Sequence, residues 1–440
     1  MPFVKVFQTL YASSGNAPPQ LAVTRRLVEA GHEVVVLGHE ASRPRIEATE
    51  AAVIPFRTVH PTMDSSRPET DPLLDWQVRS PIAAGHRLRD RLYTEPVPGT
   101  AAESAAAIAD LSPDVVVLDF MLFGAAIAAE AAGVPAVALV HCPYLLPTPG
   151  VPPYGLGLRW PRTGLGRAFQ AALRRIGARE FRPVTEAVNV ERAARGLAPV
   201  DDWTDQLLSA ARLLVFTAPQ LDFASRVPLP GNVRYVGPAF EPTEEEWTSP
   251  WPPEDDRPLV VVSLSTTYMR QEDLARRVLA AVGDLPVRVL LTAGPALDTS
   301  LLRPGANTVV VPFVPHRAVF PQASLVITHA GWGTINAGLS CGVPLVCIPC
   351  GRDQPDGARR VADAGAGVVV SKSASERRIR AAVVKALEDP GLRAGAARMA
   401  TALGQRDGAE VALGELVDVA GGRGALSATV GEEGPRPGAE

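Results

Sequence analysis

Residues 323–361 read ASLVITHAGWGTINAGLSCGVPLVCIPCGRDQPDGARRV, and this stretch decides the fold. It opens with an apolar run, Leu325–Thr328, that has the length and β-branched content of a buried strand. A glycine turn at 329–333 follows, and then a segment at 334–342 has the pattern of a helix that ends at a glycine. A second apolar run at 344–348 leads into a polar loop. The order of strand, turn, helix, strand and loop predicts a βαβ unit on a parallel sheet.

The start of the predicted helix is a candidate anion site. The first N–H groups of a helix have no partner within it, and the helix dipole is positive there. Gly331 and Gly333 let a phosphate approach the backbone, Thr334 adds a hydroxyl group, and His329 adds an imidazole donor. These features predict a site for a phosphate or diphosphate.

A pair of polar residues, Asp353 and Gln354, follows the next predicted strand. Open α/β sheets bind ligands at the carboxyl ends of their strands, so this pair is expected beside the glycine turn. Any βαβ unit has such a turn, and the dinucleotide fingerprint is missing because Asn336 stands where its third glycine would fall. The combination nevertheless favours a diphosphate at the helix and a polyol held by Asp353 and Gln354.

The stretch resembles the donor-binding signature of the GT-B nucleotide-sugar glycosyltransferases, specifically the UDP-glycosyltransferases and the bacterial natural-product glycosyltransferases of the macrolide and antibiotic type. That signature runs His-x-Gly-x-x-Ser/Thr, then Gly-Val-Pro, then Asp-Gln. Its counterparts here are His329, Gly331, Thr334, residues 342–344, Asp353 and Gln354. The resemblance implies an α/β protein of the GT-B fold, with two Rossmann-like parallel-sheet domains facing each other across a cleft.

The whole chain fits a two-domain globular protein. Its 440 residues exceed one core and suit two domains of about 200 residues, and its content is 46% hydrophobic and 20% charged. A net charge of −4 gives no electrostatic footprint for nucleic acid. The apolar runs are too short or too interrupted by charge to span a bilayer, and the chain starts directly in a strand. We therefore expect no signal peptide, no membrane span and a cytoplasmic location.

The four cysteines do not form a disulfide framework in a chain of this length. Cys347 and Cys350 form a Cys-x-x-Cys, but Cys347 lies in an apolar strand and no second pair completes a zinc site. Buried thiols are the better interpretation, and no metal site is predicted.

Alternating strands and helices divide the chain into two halves. Residues 1–216 are predicted as an acceptor-binding domain, residues 217–258 as an acidic, proline-rich linker, and residues 259–420 as a nucleotide-sugar-binding domain. A last helix at about 410–419 can cross back onto the first domain in this fold. The tail at 421–440 is low in apolar content and is predicted to be disordered.

Two segments of the first half, 60–100 and 142–161, look irregular and carry aromatic residues among prolines, arginines and glycines. Long loops of this kind on an α/β scaffold are usually functional, so both segments are expected to wall an apolar acceptor pocket. The alternative is a helical excursion that packs on the core.

The resemblance extends to two further donor segments. The turn Ser265-Thr266-Thr267 matches the polar turn that closes over the diphosphate, although Ser265 replaces the usual glycine. Phe313 matches the aromatic residue that stacks on the base, and Val314 the residue that offers backbone groups to it.

The resemblance breaks at the general base. Family members carry a histidine in the turn after the first strand, paired with an aspartate that follows a later strand. Asp119 matches the aspartate, but Asn16 stands in the histidine's place and cannot take a proton at neutral pH. Three explanations stay open: Asp119 is the base while Asn16 orients the acceptor, the acceptor is acidic enough to need little help, or another group serves.

A second departure concerns the nucleotide. Ala337 stands where the family has a glutamate that accepts from the ribose hydroxyls, and Gly357 stands where Asn is frequent. Loss of that glutamate affects a ribonucleotide more than a 2′-deoxynucleotide, which favours a dTDP-sugar over a UDP-sugar.

The predicted function is therefore inverting, metal-independent transfer of a sugar or deoxysugar to a hydrophobic acceptor such as a polyketide or aromatic aglycone, with the nucleotide sugar as co-substrate and no cofactor. Two alternatives stay open. One is a GT-B-like sugar-nucleotide 2-epimerase, since a fold does not fix a function. The other is a catalytically silent homologue that activates a partner transferase. The sequence leaves the formation of a homodimer open.

Overall fold

The structure is a computed structural model that describes residues 2–11, 15–78, 80–243 and 247–422. The predicted disorder at 421–440 falls almost wholly outside the described residues, which end at Gly422. The described chain forms two parallel-sheet α/β domains, which confirms the predicted fold class.

The first domain is built on a seven-stranded parallel sheet in the order β3-β2-β1-β4-β5-β6-β7. Its valine-rich strands are buried on both faces, as parallel strands with helices on each side must be. The strands are β1 (Lys5–Leu10), β2 (Glu33–Gly38), β3 (Ala52–Pro55), β4 (Val115–Asp119), β5 (Ala136–Val140), β6 (Arg212–Val215) and β7 (Val233–Tyr235). The last of these lies inside the segment predicted as the linker.

Helices cover both faces of this sheet. They are α1 (Ala17–Glu29), α2 (Arg43–Glu47), α3 (Pro81–Leu88), α4 (Pro96–Leu111), α5 (Phe123–Ala132), α6 (Gly164–Glu180), α7 (Arg182–Ala194) and α8 (Trp203–Leu208). The interpretation of 60–100 as irregular is wrong in its second half, where α3, a π-helical turn (Arg89–Thr94) and the start of α4 follow one another. The segment 142–161, described throughout, has no helix or strand.

The second domain is built on a six-stranded parallel sheet in the order β10-β9-β8-β11-β12-β13. Its strands are β8 (Leu259–Ser263), β9 (Arg288–Thr292), β10 (Thr308–Val311), β11 (Leu325–Thr328), β12 (Leu345–Cys347) and β13 (Gly367–Val369). The helices are α9 (Glu272–Val282), α10 (His316–Val319), α11 (Trp332–Ser340), α12 (Gln354–Asp363), α13 (Glu376–Glu388), α14 (Pro390–Leu403) and α15 (Gly408–Ala420).

The strand order reverses between β1 and β4 in one sheet and between β8 and β11 in the other. Ligands of open α/β sheets bind at such reversal points, beyond the carboxyl ends of the strands. Asp119 ends β4, and His329 directly follows β11. The fold thus places each candidate site at the reversal point of its own sheet.

The last helix, α15, packs against the first domain. Leu413 and Leu416 of α15 share one buried cluster with Leu21 and Leu27 of α1. Arg212 of β6 also donates to Glu415 of α15 at 2.9 Å. The chain therefore returns from the second domain to complete the core of the first.

Two buried polar links also join the domains. In one, Asn336 of α11 donates through Nδ2 to the carbonyl oxygen of Phe216 at 2.9 Å and accepts from Thr217 Oγ1 at 3.2 Å. In the other, Arg360 of α12 places Nε and Nη2 each 3.0 Å from Asp222 Oδ1. Asn336, which breaks the dinucleotide fingerprint, is thus an interdomain contact.

Candidate active site

The predicted anion site is the amino end of α11, which begins at Trp332, two residues before the predicted start. Beyond its chain neighbours and the backbone of α11 itself, a Cβ added to Gly333 would meet no atom of the described chain within 4 Å, so the space beside this helix end is open. A Cβ added to Gly331 would lie 2.3 Å from Nε2 of His329. Gly331 is therefore required by the packing of the histidine, whereas Gly333 leaves room for a ligand.

His329 lies buried between β11 and α11. Burial, with smaller contributions from the nearby His316 and Arg352, lowers the pKa of its imidazole to about 4. The ring is therefore neutral at physiological pH and carries one N–H donor. A neutral donor beside a helix amino end can bind a diphosphate without requiring a protonated imidazole.

The turn after β8 has a framework of its own. The backbone N–H of Ser265 donates to Gln271 Oε1 at 2.9 Å, and the N–H of Thr267 donates to Ser265 Oγ at 3.0 Å. Ser265 and Thr267 are buried, whereas Thr266 is exposed. Ser265 can therefore replace the family's usual glycine, because its hydroxyl group accepts a hydrogen bond that fixes the turn. A glycine could not make that bond.

The aromatic residue predicted to stack on the nucleotide base projects out of the core. Phe313, after β10, is 71% exposed, and Val314 is buried. An exposed aromatic ring at a strand end can stack on a nucleotide base, an interaction that contributes about 1–3 kcal/mol per base.

The predicted sugar-binding pair differs in its two members. Gln354 Oε1 accepts from the backbone N–H groups of Cys350 at 2.7 Å and Gly351 at 3.1 Å, so this side chain already holds its own loop. Asp353 stands at the N-cap position of α12 without a side-chain capping bond to the described chain. Burial raises the pKa of its carboxyl group. Asp353 is the member that has its carboxylate available for a ligand.

Gly357, where the family often has Asn, is explained by packing. A Cβ at this position would lie 2.7 Å from Ile335 Cδ1 and 2.9 Å from the carbonyl oxygen of Ala330. Because α12 lies against α11 there, a larger side chain does not fit without movement.

Asp119 is a fully buried carboxyl group at the end of β4. Its Oδ2 accepts from Gln20 Nε2 at 2.7 Å and from the Tyr11 N–H at 3.2 Å, and its Oδ1 accepts from the Met121 N–H at 3.1 Å. Burial raises the pKa of Asp119 to about 6, against the lowering effect of these three bonds. A carboxyl group with this pKa can take up and release a proton near neutral pH.

Among the described residues, the side chain that donates to Asp119 is that of Gln20 and not that of Asn16. Asn16 precedes α1 and contributes its backbone carbonyl oxygen, which accepts from Gln20 Nε2 at 3.3 Å. Sequence reasoning missed Gln20, because a glutamine one turn into a helix reads as a surface residue. Its neighbours Leu21, Ala22 and Val23 were the available signal, since they show that this turn of α1 is buried on most sides.

Three contacts bring the first-domain segment 60–77 against the second domain. Arg352 Nη2 lies 3.1 Å from Asp71 Oδ2, and the Tyr268 N–H donates to the carbonyl oxygen of Ser65 at 2.8 Å. The rings of Trp76 and Tyr268 meet edge to face at 4.8 Å between centroids. Part of the predicted acceptor wall therefore touches the turn predicted to hold the donor.

The Cys-x-x-Cys contains protonated thiols. Cys347 is buried in β12, and burial raises its pKa to about 12. Burial likewise raises the pKa of Cys350 to about 11. Neither sulfur is a thiolate at neutral pH, in line with the interpretation as buried thiols.

No helix in the described part of the chain has the length and apolar content needed to cross a bilayer.

The arrangement has the features of a GT-B glycosyltransferase: two parallel-sheet domains, with the predicted donor signature on one and a buried carboxyl group on the other. Residues 276–417 match the family model described as erythromycin biosynthesis protein CIII-like, C-terminal domain. The chain is 31% identical over 401 residues to 4′-demethylrebeccamycin synthase of Lentzea aerocolonigenes, covering 89% of this chain and 94% of that protein. It therefore belongs to the family of natural-product glycosyltransferases, which confirms the resemblance.

Solved structures agree on the fold. The calicheamicin glycosyltransferase CalG4 superposes with a TM-score of 0.74 at 22% identity, covering 96% of this chain and 99% of that one. The glycosyltransferase VinC, solved in complex with dTDP, superposes with a TM-score of 0.64 at 22% identity and covers 95% of this chain and 99% of its own.

Proposed function

We propose that this enzyme transfers a sugar or deoxysugar, with inversion, from a dTDP-sugar to a hydrophobic natural-product acceptor such as a polyketide or aromatic aglycone. The observation that carries the proposal is the open space before α11, which Gly333 leaves free beside the buried His329. The dTDP bound to VinC and the natural product named in the rebeccamycin relative support the nucleotide and the acceptor class.

The diphosphate is bound by the second domain alone in this proposal. The N–H groups at the start of α11, the Thr334 hydroxyl group and the neutral His329 together offer three or four hydrogen bonds to the leaving group. Each charge-assisted bond contributes roughly 1.5–3 kcal/mol. Metal independence and the absence of a cofactor are part of the proposal, and Phe313 stacks on the base while Asp353 holds sugar hydroxyls.

The reaction is a single displacement. The acceptor oxygen attacks the anomeric carbon, its proton passes to Asp119, and the bond from that carbon to the diphosphate oxygen breaks. The electron pair of that bond leaves with the nucleoside diphosphate, whose developing charge faces the amino end of α11. Because Asp119 is fully buried, the acceptor reaches it only when the residues that cover it move aside.

The preference for dTDP rests on Ala337. This residue is 4% exposed and belongs to the apolar cluster beneath α11, so the position offers no acceptor to the ribose hydroxyls. A 2′-deoxyribose has one hydroxyl group fewer than a ribose, so it loses less binding energy when this acceptor is missing. Binding of dTDP and UDP by calorimetry tests the point, and a clear preference for UDP would contradict it.

The function itself is tested by incubating the purified protein with radiolabelled dTDP- and UDP-sugars, with and without a panel of aromatic and polyketide acceptors. Label that moves to an acceptor supports the proposal. Epimerised nucleotide sugar would point to the 2-epimerase, and no turnover with any pair would favour a silent partner protein.

Two further points belong to the proposal. The four cysteines are unpaired thiols, as is usual in a reducing compartment, which supports a cytoplasmic location. A homodimer is also proposed, and size-exclusion chromatography with light scattering measures it directly.

A further inference from the structure

Gln20 is a buried glutamine with both of its amide N–H groups engaged. Nε2 lies 2.7 Å from Asp119 Oδ2 and 3.3 Å from the carbonyl oxygen of Asn16, while the side chain is 0% exposed. Both neighbours are hydrogen-bond acceptors, so the amide group has one allowed orientation. Reversing it would place Oε1 against two other oxygens. Oε1 has no hydrogen-bond partner among the described residues.

The bonds to Asp119 are distributed unevenly between its two oxygens. Oδ2 accepts from Gln20 and from the Tyr11 N–H, which uses both of its lone pairs. Oδ1 accepts one bond from the described chain, from the Met121 N–H, and its second lone pair is not used by any described residue. Of the two oxygens, Oδ1 is the one that can still receive a proton.

The partner of this carboxylate is also neutral. An arginine or lysine at this distance would hold the carboxylate ionised and reduce its ability to accept a proton. An amide fixes the direction of the carboxylate through one short bond but adds no formal charge. The pair thus combines a fixed orientation with a carboxyl group that still titrates.

We propose that Gln20 is the positioning residue for Asp119: its amide engages Oδ2 and thereby reserves Oδ1 for the proton of the acceptor. This inference rests on the proposed function, in which Asp119 is the base. Gln20 itself does not touch the substrate. Its contribution is to hold the carboxylate in one orientation and to favour its ionised form.

Gln20→Met tests the inference, because methionine keeps the length and volume of the side chain and removes the donor. The bond to a charged group corresponds to roughly a 10–100-fold effect, so kcat at pH 7 should fall by about that factor while KM for the donor stays unchanged. Losing the bond disfavours the ionised carboxylate, so the acid limb of the pH profile should move up by about one pH unit.

Gln206→Met is the matched control. Gln206 is also a fully buried glutamine that donates to a carboxylate, Glu130 Oε2 at 2.9 Å, but it lies on α8. Both variants lose a buried bond from an amide to a carboxylate, and Gln206→Met also loses the bond that Oε1 accepts from Arg192 at 2.6 Å. Both should therefore be destabilised, Gln206→Met at least as much as Gln20→Met. The shift of the acid limb should occur in Gln20→Met alone, and an equal effect in both variants, or a Gln20→Met enzyme with unshifted pH profile and normal kcat, overturns the inference.

A second readout needs no substrate. Infrared difference spectra over pH follow the C=O stretch of protonated Asp119, which the Asp119→Asn variant identifies by its loss. The midpoint should rise in Gln20→Met relative to the wild-type protein, and an unchanged midpoint contradicts the coupling. If the wild-type protein transfers no sugar, both the proposed function and the catalytic role of Gln20 are wrong. The infrared midpoint would still show whether the side chains of Gln20 and Asp119 are coupled.

Discussion

The guanidinium group of Arg352 lies 3.1 Å from the carboxylate of Asp71, so an ion pair joins the two domains across the cleft. Arg352 directly precedes the predicted sugar-binding pair, and Asp71 lies in the first-domain segment 60–77. The side chain of Asp71 is only 1% exposed, so this pair is shielded from water and salt far more than a surface pair.

Asp71→Asn should raise KM for the donor several-fold and change kcat less, because Arg352 loses a charged partner and the adjoining loop loses an anchor. Steady-state kinetics with the donor varied measures the effect. Glu40→Gln is the control, since it removes an ion pair with Arg43 that lies in water and is screened by it. Equal donor KM values for Asp71→Asn and the wild-type enzyme would show that the pair does not support the donor loop.

Comparing Gly333→Ala with Gly331→Ala should distinguish a glycine that leaves room for the ligand from a glycine that the protein needs for its own packing. The methyl group at 333 meets no atom of the described chain within 4 Å beyond its chain neighbours and the backbone of its own helix, so the melting temperature should stay the same while nucleotide affinity falls. The methyl group at 331 would lie 2.3 Å from His329, so that variant should lose stability as well. Calorimetric binding of dTDP and thermal unfolding provide the comparison. If Gly333→Ala bound the nucleotide with full affinity, the diphosphate would not bind next to this residue, and the assignment would be wrong.

His329→Ala should lower turnover much more than stability, because it removes a neutral donor aimed at the leaving group. The affinity for free dTDP should fall too, and it should fall equally at pH 6 and pH 8, since a histidine with a pKa of about 4 is neutral at both. Calorimetry at the two pH values checks this. Unchanged affinity for the nucleotide in this variant would contradict the assignment of the donor site.

Asp119→Asn should keep the fold and the nucleotide affinity but reduce kcat by roughly 10²–10⁴-fold, the usual contribution of a general base. Because the base must be ionised, kcat/KM of the wild-type enzyme should fall as the pH drops through about 6. Asn16→Ala should reduce kcat by less than Asp119→Asn does. A near-normal rate in Asp119→Asn would instead favour an acidic acceptor or another base. His60 is a candidate for that base, and its Nε2 lies 3.2 Å from the carbonyl oxygen of Arg91.

Asp222→Ala should destabilise the protein by up to about 3–5 kcal/mol, because it removes the nearer carboxylate from a buried arginine and leaves it with Asp356, whose Oδ1 lies 3.5 Å from Nη1. Arg360 is 2% exposed and Asp222 is 0% exposed, and the same carboxylate also accepts from Tyr235 and from the Tyr144 N–H. Chemical denaturation measures the loss. A cost near zero would mean that Asp356, or water that enters, compensates the charge of Arg360 once Asp222 is gone.

The sequence predicts the local features of this protein well. The signature around His329, the order of strands and helices, and the position of Asp119 at a strand end all follow from short patterns. Contacts between distant segments are not predictable in this way. The bond from Gln20 to Asp119 joins residues 99 positions apart, and Asn336 meets the first domain 120 positions away. Such pairs form only once the sheets are assembled, so one sequence offers no period or motif that marks them.

The return of α15 to the first domain determines how this enzyme can be recombined with its relatives. A chimera that exchanges everything after residue 258 would also exchange α15, and its leucines would then meet an α1 with which they did not evolve. Keeping residues 408–420 with the first half, and joining at Asp407, preserves the packing of Leu413 and Leu416 on Leu21 and Leu27. The exchangeable donor module is thus an internal segment of the chain with two junctions.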